Sequence, residues 1–221
     1  MNRLGHALAH LGADVYLPEA FPLYVGVLAN TWGLRMAALA LAKSLTHLAQ
    51  QGVGEVSLAG HSAGGLIAML CLASPLTYQT PRTPRTRSII TMATPFRGIP
   101  ASRLLRPWLP VGRDLAPCAA ILDEARRQAW RVGLTLVAGS DAIVPERCQR
   151  LDGEANARSV LMPHFQHGDF IIGDDDKIAA TAALIWQEMT CPTPAPATGL
   201  RGTAAPPPRI SQQYTDGRPP G

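Results

Sequence analysis

Two hydrophobic periods divide the chain. Apolar residues three and four apart mark helices, and short unbroken apolar runs mark strands. Leu4, Leu8 and Leu11 share a helical face, and Gly12 closes that helix. Ala13-Asp14-Val15-Tyr16-Leu17-Pro18 reads as a short strand stopped by its proline. Residues 19–30 read as a loop, with Phe21, Leu23 and Tyr24 as candidate pocket residues. The clearest helix spans Thr31 to Gln51: Leu34, Ala38, Leu41, Leu45 and Leu48 form its stripe, and Gly52 ends it.

Glu55 to Ala59 is the next strand, and residues 65–73 form a helix apolar nearly all round. A Pro-, Thr- and Arg-rich loop leads to the strand Ser88–Ala93. Cys118, Ile121, Leu122, Ala125 and Ala129 mark an amphipathic helix. Leu134–Gly139 and Ser159–Met162 are two further strands. Asp174-Asp175-Asp176 caps a last helix carrying Ile178, Thr181, Ile185 and Met189. Negative charge at a helix N-terminus accounts for that acidic triplet better than a calcium loop does. Strands alternating with helices predict an α/β domain: a mostly parallel sheet with helices on both faces.

The most informative stretch joins the second strand to its helix: Gly60-His61-Ser62-Ala63-Gly64-Gly65. A serine between glycines, with an apolar strand before it and an apolar helix after it, has the layout of a nucleophile elbow. Gly60 and Gly64 are expected to let the backbone turn sharply and pack beside Ser62. The Ala63 N–H, at the positive end of the helix, is a candidate oxyanion donor.

Composition narrows the alternatives. Of 221 residues 47% are hydrophobic and only 16% charged, which gives a folded body over residues 1–191. From Pro192 the chain turns proline-rich and nearly loses its apolar residues, so 192–221 is expected to be a disordered tail. The net charge of +4 is scattered rather than clustered, which argues against nucleic-acid binding. Cys71, Cys118, Cys148 and Cys191 have no zinc or redox spacing. A reducing compartment is favoured, although two disulfides stay open. His6 and His10 lack a third ligand, so no metal site is expected there. Neither a signal peptide nor a membrane-length apolar run is visible, and a cytoplasmic location is the expectation.

Serine needs a base to remove its proton and an acid to orient that base. Ser62, Asp141 and His167 each follow a strand, in that order, and the carboxyl ends of parallel strands are where reacting side chains gather. His164 competes with His167 for the base. His167 precedes Gly168 and a segment leading into a helix, whereas His164 directly follows Pro163 near the strand end. Asp152 is a weaker rival to Asp141, and a metal site built from His164, His167 and Asp169 is disfavoured.

With these residues in place the chain resembles an α/β-hydrolase of the bacterial lipase and esterase type, over residues 1–191. Thr94-Pro95-Phe96-Arg97-Gly98 resembles the Thr-Pro-His-x-Gly stretch of many such lipases, with Phe96 in place of the histidine. Asp114-Leu115-Ala116-Pro117 before Ile121-Leu122, and Gly139-Ser140-Asp141 before Val144-Pro145, resemble two further segments.

The resemblance implies a carboxylic-ester hydrolase working through an acyl-enzyme. Ser62, Asp141 and His167 would be catalytic, Ala63 the oxyanion donor, and no metal or cofactor would be required. The substrate would be a small-molecule or lipid ester, with Leu104, Leu105, Trp108 and Leu109 as lid or acyl-pocket candidates.

Similar enzymes place a strand and a His-Gly oxyanion loop before the first helix, whereas here three residues precede Leu4. The expectation is a missing start or a fragment, with residues 15–17 left without a neighbouring strand. One oxyanion donor would then be lost, a cost of ~3 kcal/mol and of low activity. A binding protein on the same fold, and an acyltransferase, are the alternatives.

Overall fold

Four apolar runs become strands of one sheet because β-branched and leucine-rich stretches bury well on a pleated surface covered on both sides. They are β1 (Glu55–His61), β2 (Arg85–Met92), β3 (Val132–Ala138) and β4 (Arg158–Met162). The structure, a computed structural model, describes residues 3–17, 33–73, 83–102, 110–151 and 157–191. The strand order is β1-β2-β3-β4 and every pairing is parallel. β2 and β3 are central, β3 almost continuously buried and β2 buried from Ser88 to Met92, while β1 and β4 flank them with far less burial.

Adjacent residues of a strand face opposite sides, so each side of the sheet acquires its own core. Ile89 joins Leu34, Leu45, Leu66, Met69, Phe96 and Leu122 on one side. That face is covered by α2 (Gly33–Gln50), α3 (Ala63–Ala73) and α5 (Ala120–Arg126). Between them lies the short α4 (Pro110–Asp114). Ile90 faces the other way, among Leu4, Leu8, Leu134, Leu136, Phe170 and Ile185. That side is covered by α1 (Arg3–His10), α7 (Asp169–Ile172) and α8 (Asp175–Thr190). The remaining helix, α6 (Glu146–Gln149), is a single turn after β3. Helices on both faces of a parallel sheet are the architecture the hydrophobic pattern predicts.

The helix stops behave as glycine chemistry requires. Gly12 (φ 99°) and Gly52 (φ 89°) occupy left-handed positions after α1 and α2. Ala13 N–H then bonds Leu8 O at 3.1 Å and Val53 N–H bonds Leu48 O at 3.0 Å, the Schellman pattern. Asp174 caps α8 by accepting from Lys177 N–H at 2.9 Å, as an acidic helix start should. Asp114 accepts from the Leu34 N–H at 2.9 Å and ties α4 to the start of α2.

Two expectations need correction. Residues 13–17 form no strand. Among the described residues β1 pairs with β2 alone, so the 13–17 segment has no ladder to join, and Ala13 and Val15 instead pack against the second core. The amphipathic helix expected from Cys118 is shorter, Ala120–Arg126, with a 3-10 turn at Ala129–Arg131. Cys118 sits outside it at φ 67°. Among the described residues no disulfide forms. Leu104, Leu105, Trp108 and Leu109, together with Phe21, Leu23, Tyr24, Asp152 and the 192–221 tail, lie outside the described residues. Among the described residues no helix is long and apolar enough to cross a membrane.

Candidate active site

The strands end level. His61 is opposite Met92, Met92 opposite Leu136, and Ala138 opposite Met162. The loops after β1, β3 and β4 therefore leave the same edge of the sheet, and they carry Ser62, Asp141 and His167. The residues just past each strand extend the ladder. Ser62 N–H bonds Met92 O at 2.8 Å, Ala93 N–H bonds Leu136 O at 3.0 Å, and Gly139 N–H bonds Met162 O at 3.0 Å.

Ser62 stands between β1 and α3 at φ 53°, a left-handed conformation that costs an ordinary L-residue about 1–2 kcal/mol. The glycines around it make the turn possible, though not in the way the motif suggests. A Cβ on Gly60 would overlap the backbone of Gly64 and Gly65, and one on Gly65 would overlap the Thr94 side chain. Gly64 has nothing within 4 Å of its missing Cβ. The close approaches are thus made by Gly60 and Gly65, and Gly64 does not share them. Ala63 is the first residue of α3, so its N–H has no acceptor within the helix.

The Thr94–Gly98 stretch supports the elbow from behind. Thr94 is fully buried against Gly65, and its hydroxyl has no hydrogen-bond partner among the described residues. Phe96 is fully buried in the core that contains α3. Gly98 turns at φ 79°, where a Cβ would press on Leu115 O at 2.7 Å.

The Asp141 side chain is completely buried and fully engaged. One carboxylate oxygen accepts from Ile143 N–H and Val144 N–H, both at 2.8 Å. The other accepts from His167 Nδ1 at 2.7 Å. Because a carboxylate only accepts, that imidazole nitrogen must carry the proton, which leaves the lone pair of neutral His167 on Nε2. His164, the rival base, is exposed at the surface. The imidazole that reaches Asp141 is that of His167.

Two residues outside the expected set complete the arrangement. Gln149, fully buried in α6, accepts from Ala138 N–H at 2.8 Å. Its amide nitrogen donates to Val144 O at 2.6 Å, Ala138 O at 3.2 Å and Asp141 Oδ2 at 3.3 Å. His61 donates from Nε2 to the backbone carbonyl of His167 at 2.6 Å, and the two rings lie 4.8 Å apart between centroids. Burial pushes the His61 pKa down to about 4; the bond to the carbonyl and the Asp141 charge oppose this, and His167 adds to it. His61 lies within the recognised motif and went without a role, whereas Gln149 carries no sequence signal at all.

The loop bearing His167 is closed on itself. Asp169 Oδ2 accepts from Gln166 N–H at 2.8 Å and from Lys177 Nζ at 2.7 Å. Desolvation pushes the Asp169 carboxyl up, but these two bonds outweigh it and hold the group below the ordinary range. The ammonium of Lys177 is raised mainly by the same hydrogen bond.

A parallel sheet wrapped on both faces, with an elbow serine and an acid–imidazole pair at the carboxyl ends of its strands, defines the α/β-hydrolase fold. Comparison with solved structures gives the same class. The mature lipase BlEst2 of Bacillus licheniformis matches with a TM-score of 0.53 and 16% identity, over 72% of this chain and 75% of that one. Its propeptide form matches at 0.52 and 16%, over 72% and 41%. The propionate-bound esterase Est2 of Thermogutta terrifontis matches at 0.50 and 20%, over 71% and 64%. No family model and no curated protein matches in sequence. Likeness at this identity establishes the fold, and the chain has the α/β-hydrolase fold.

Proposed function

We propose that this chain is a serine hydrolase that cleaves carboxylic esters, of the esterase or lipase type, through an acyl-enzyme. The observation that carries the reading is the 2.7 Å bond from buried Asp141 to His167, placed at the strand edge where Ser62 occupies its left-handed turn. Ser62 Oγ attacks the acyl carbonyl while His167 Nε2 takes its proton. Asp141 keeps the imidazole in the Nδ1–H tautomer and stabilises the imidazolium that forms. The Ala63 N–H, at the positive end of α3, faces the charge that develops on the carbonyl oxygen. His167 then returns the proton to the leaving alkoxide, and water, deprotonated by the same imidazole, releases the acid.

The solved fold neighbours include a lipase and an esterase, the latter holding propionate, a short carboxylate of the kind an acyl-enzyme releases. Small acyl esters are accordingly the first substrates to test. Hydrolysis of p-nitrophenyl acetate and butyrate by the full chain should exceed the buffer rate. It should fall to that rate in Ser62→Ala, and by roughly 1,000-fold or more in His167→Ala. Undiminished hydrolysis in a folded Ser62→Ala variant would refute the assignment.

A further inference from the structure

We propose that His61, the residue before the nucleophile, is a positioning residue for the base: its Nε2–H holds the backbone of His167 and its ring braces the imidazole. The inference rests on the reading of Ser62, Asp141 and His167 as a triad.

Asp141 fixes the rotation of the His167 ring through Nδ1. That bond does not fix where the backbone of residue 167 sits, and the residue lies on a loop five positions beyond the end of β4. The 2.6 Å bond from His61 supplies the missing restraint. His61 is itself anchored, being the last residue of β1 and paired in register with Met92. Its ring lies 4.8 Å from that of His167 and 6.4 Å from that of Phe170. The base is thereby referred to the strand that delivers Ser62, one peptide bond away. Displacement of a catalytic group by about 1 Å can cost on the order of 100-fold in rate, so a direct tie between the two loops has catalytic value.

The choice of side chain also fits. A lysine or arginine could donate to the same carbonyl, but would place a permanent charge beside an imidazole that must become cationic. Neutral His61 donates without that repulsion. Its proton must be on Nε2, because the partner is a carbonyl oxygen.

The test uses the full chain and three substitutions. His61→Phe keeps ring bulk and removes the donor. His61→Gln restores a donor near the Nε2 position. His61→Asn, whose amide falls short of the carbonyl, replaces the Phe variant should that one fail to fold. Readouts are kcat and KM on p-nitrophenyl acetate, fluorophosphonate labelling of Ser62, and the low-field proton resonance of His167 Nδ1–H, which does not depend on turnover.

His61→Phe, or His61→Asn, should lower kcat by about 10-fold or more with KM nearly unchanged, and should broaden or shift the resonance. His61→Gln should recover kcat to within about threefold and restore the resonance. Wild-type kcat and an unmoved resonance in His61→Phe would overturn the proposal, as would equal impairment of the Phe and Gln variants. A wild-type chain that neither labels nor hydrolyses esters would refute the triad reading instead. The resonance arm would then decide for or against the hold of His61 on its own.

Discussion

Asp141 shows what a single residue requires before its carboxylate can be buried beside an imidazole. Its carboxylate is removed from water and surrounded by two backbone N–H groups, an imidazole and the Gln149 amide. Each donor offsets part of the cost of burying a charge. Gln149 does more than donate, because it also bridges Ala138 and Val144 and so closes the loop that presents the acid. Replacing Gln149 by Leu leaves buried polar groups without that partner. The expected loss of stability is about 2–3 kcal/mol, read by urea denaturation, with ester hydrolysis reduced by about 10-fold. A variant as stable and as active as the parent would show that the amide is incidental. Sequence reading singled out Asp141 and His167 from strand-end placement and chain order, and the two are joined by a 2.7 Å bond. It could not name Gln149, whose role exists only once α6 folds back on β3.

Among the elements, the β1–α3 elbow is the most demanding. Its glycines look equivalent in the motif, yet their surroundings differ. Gly65→Ala would drive a methyl into Thr94, and Gly60→Ala would drive one into the backbone of α3. Both should destabilise the fold by roughly 1–3 kcal/mol or more, measured by thermal or urea unfolding, since neither neighbour can withdraw easily. Gly64→Ala meets open space and should be neutral or stabilising by up to about 1 kcal/mol, as alanine is the better helix former. Equal destabilisation at all three positions would contradict this packing. The elbow was legible because local rules govern a strand, a turn and a helix. The 13–17 strand was misread because a strand belongs to a pair, and alternation within one segment says nothing about whether a partner lies beside it.

Across the whole molecule, two cores on opposite faces of one sheet hold the strand ends level, and that alignment brings together residues far apart in the chain. It also buries a titratable group. His61 has a pKa of about 4 in the fold against an ordinary 6.5 unfolded. Between those values the unfolded chain binds more protons than the folded one. Stability contributed by neutral His61 is therefore complete above pH 6.5 and is lost as pH falls towards 4. The loss is on the order of 3 kcal/mol. Denaturation curves between pH 7 and 4 should fall more steeply for the parent than for His61→Gln, which has no imidazole to protonate there. Parallel curves would place the His61 proton elsewhere. Two-sided packing was readable in the apolar runs, since the buried stretches Ser88–Met92 of β2 and Val132–Ala138 of β3 demand cover on both faces. The bond between His61 and residue 167 was not, because it joins positions 106 residues apart and leaves no periodic trace.

The central claim is that Ser62 is a nucleophile activated by His167. A fluorophosphonate probe followed by peptide mass mapping measures it without assuming any substrate. The full chain should acquire one phosphonyl group on Ser62, and His167→Ala should acquire it far more slowly. A folded wild-type chain that stays unmodified, or that is modified at another residue while Ser62 remains free, would contradict the account.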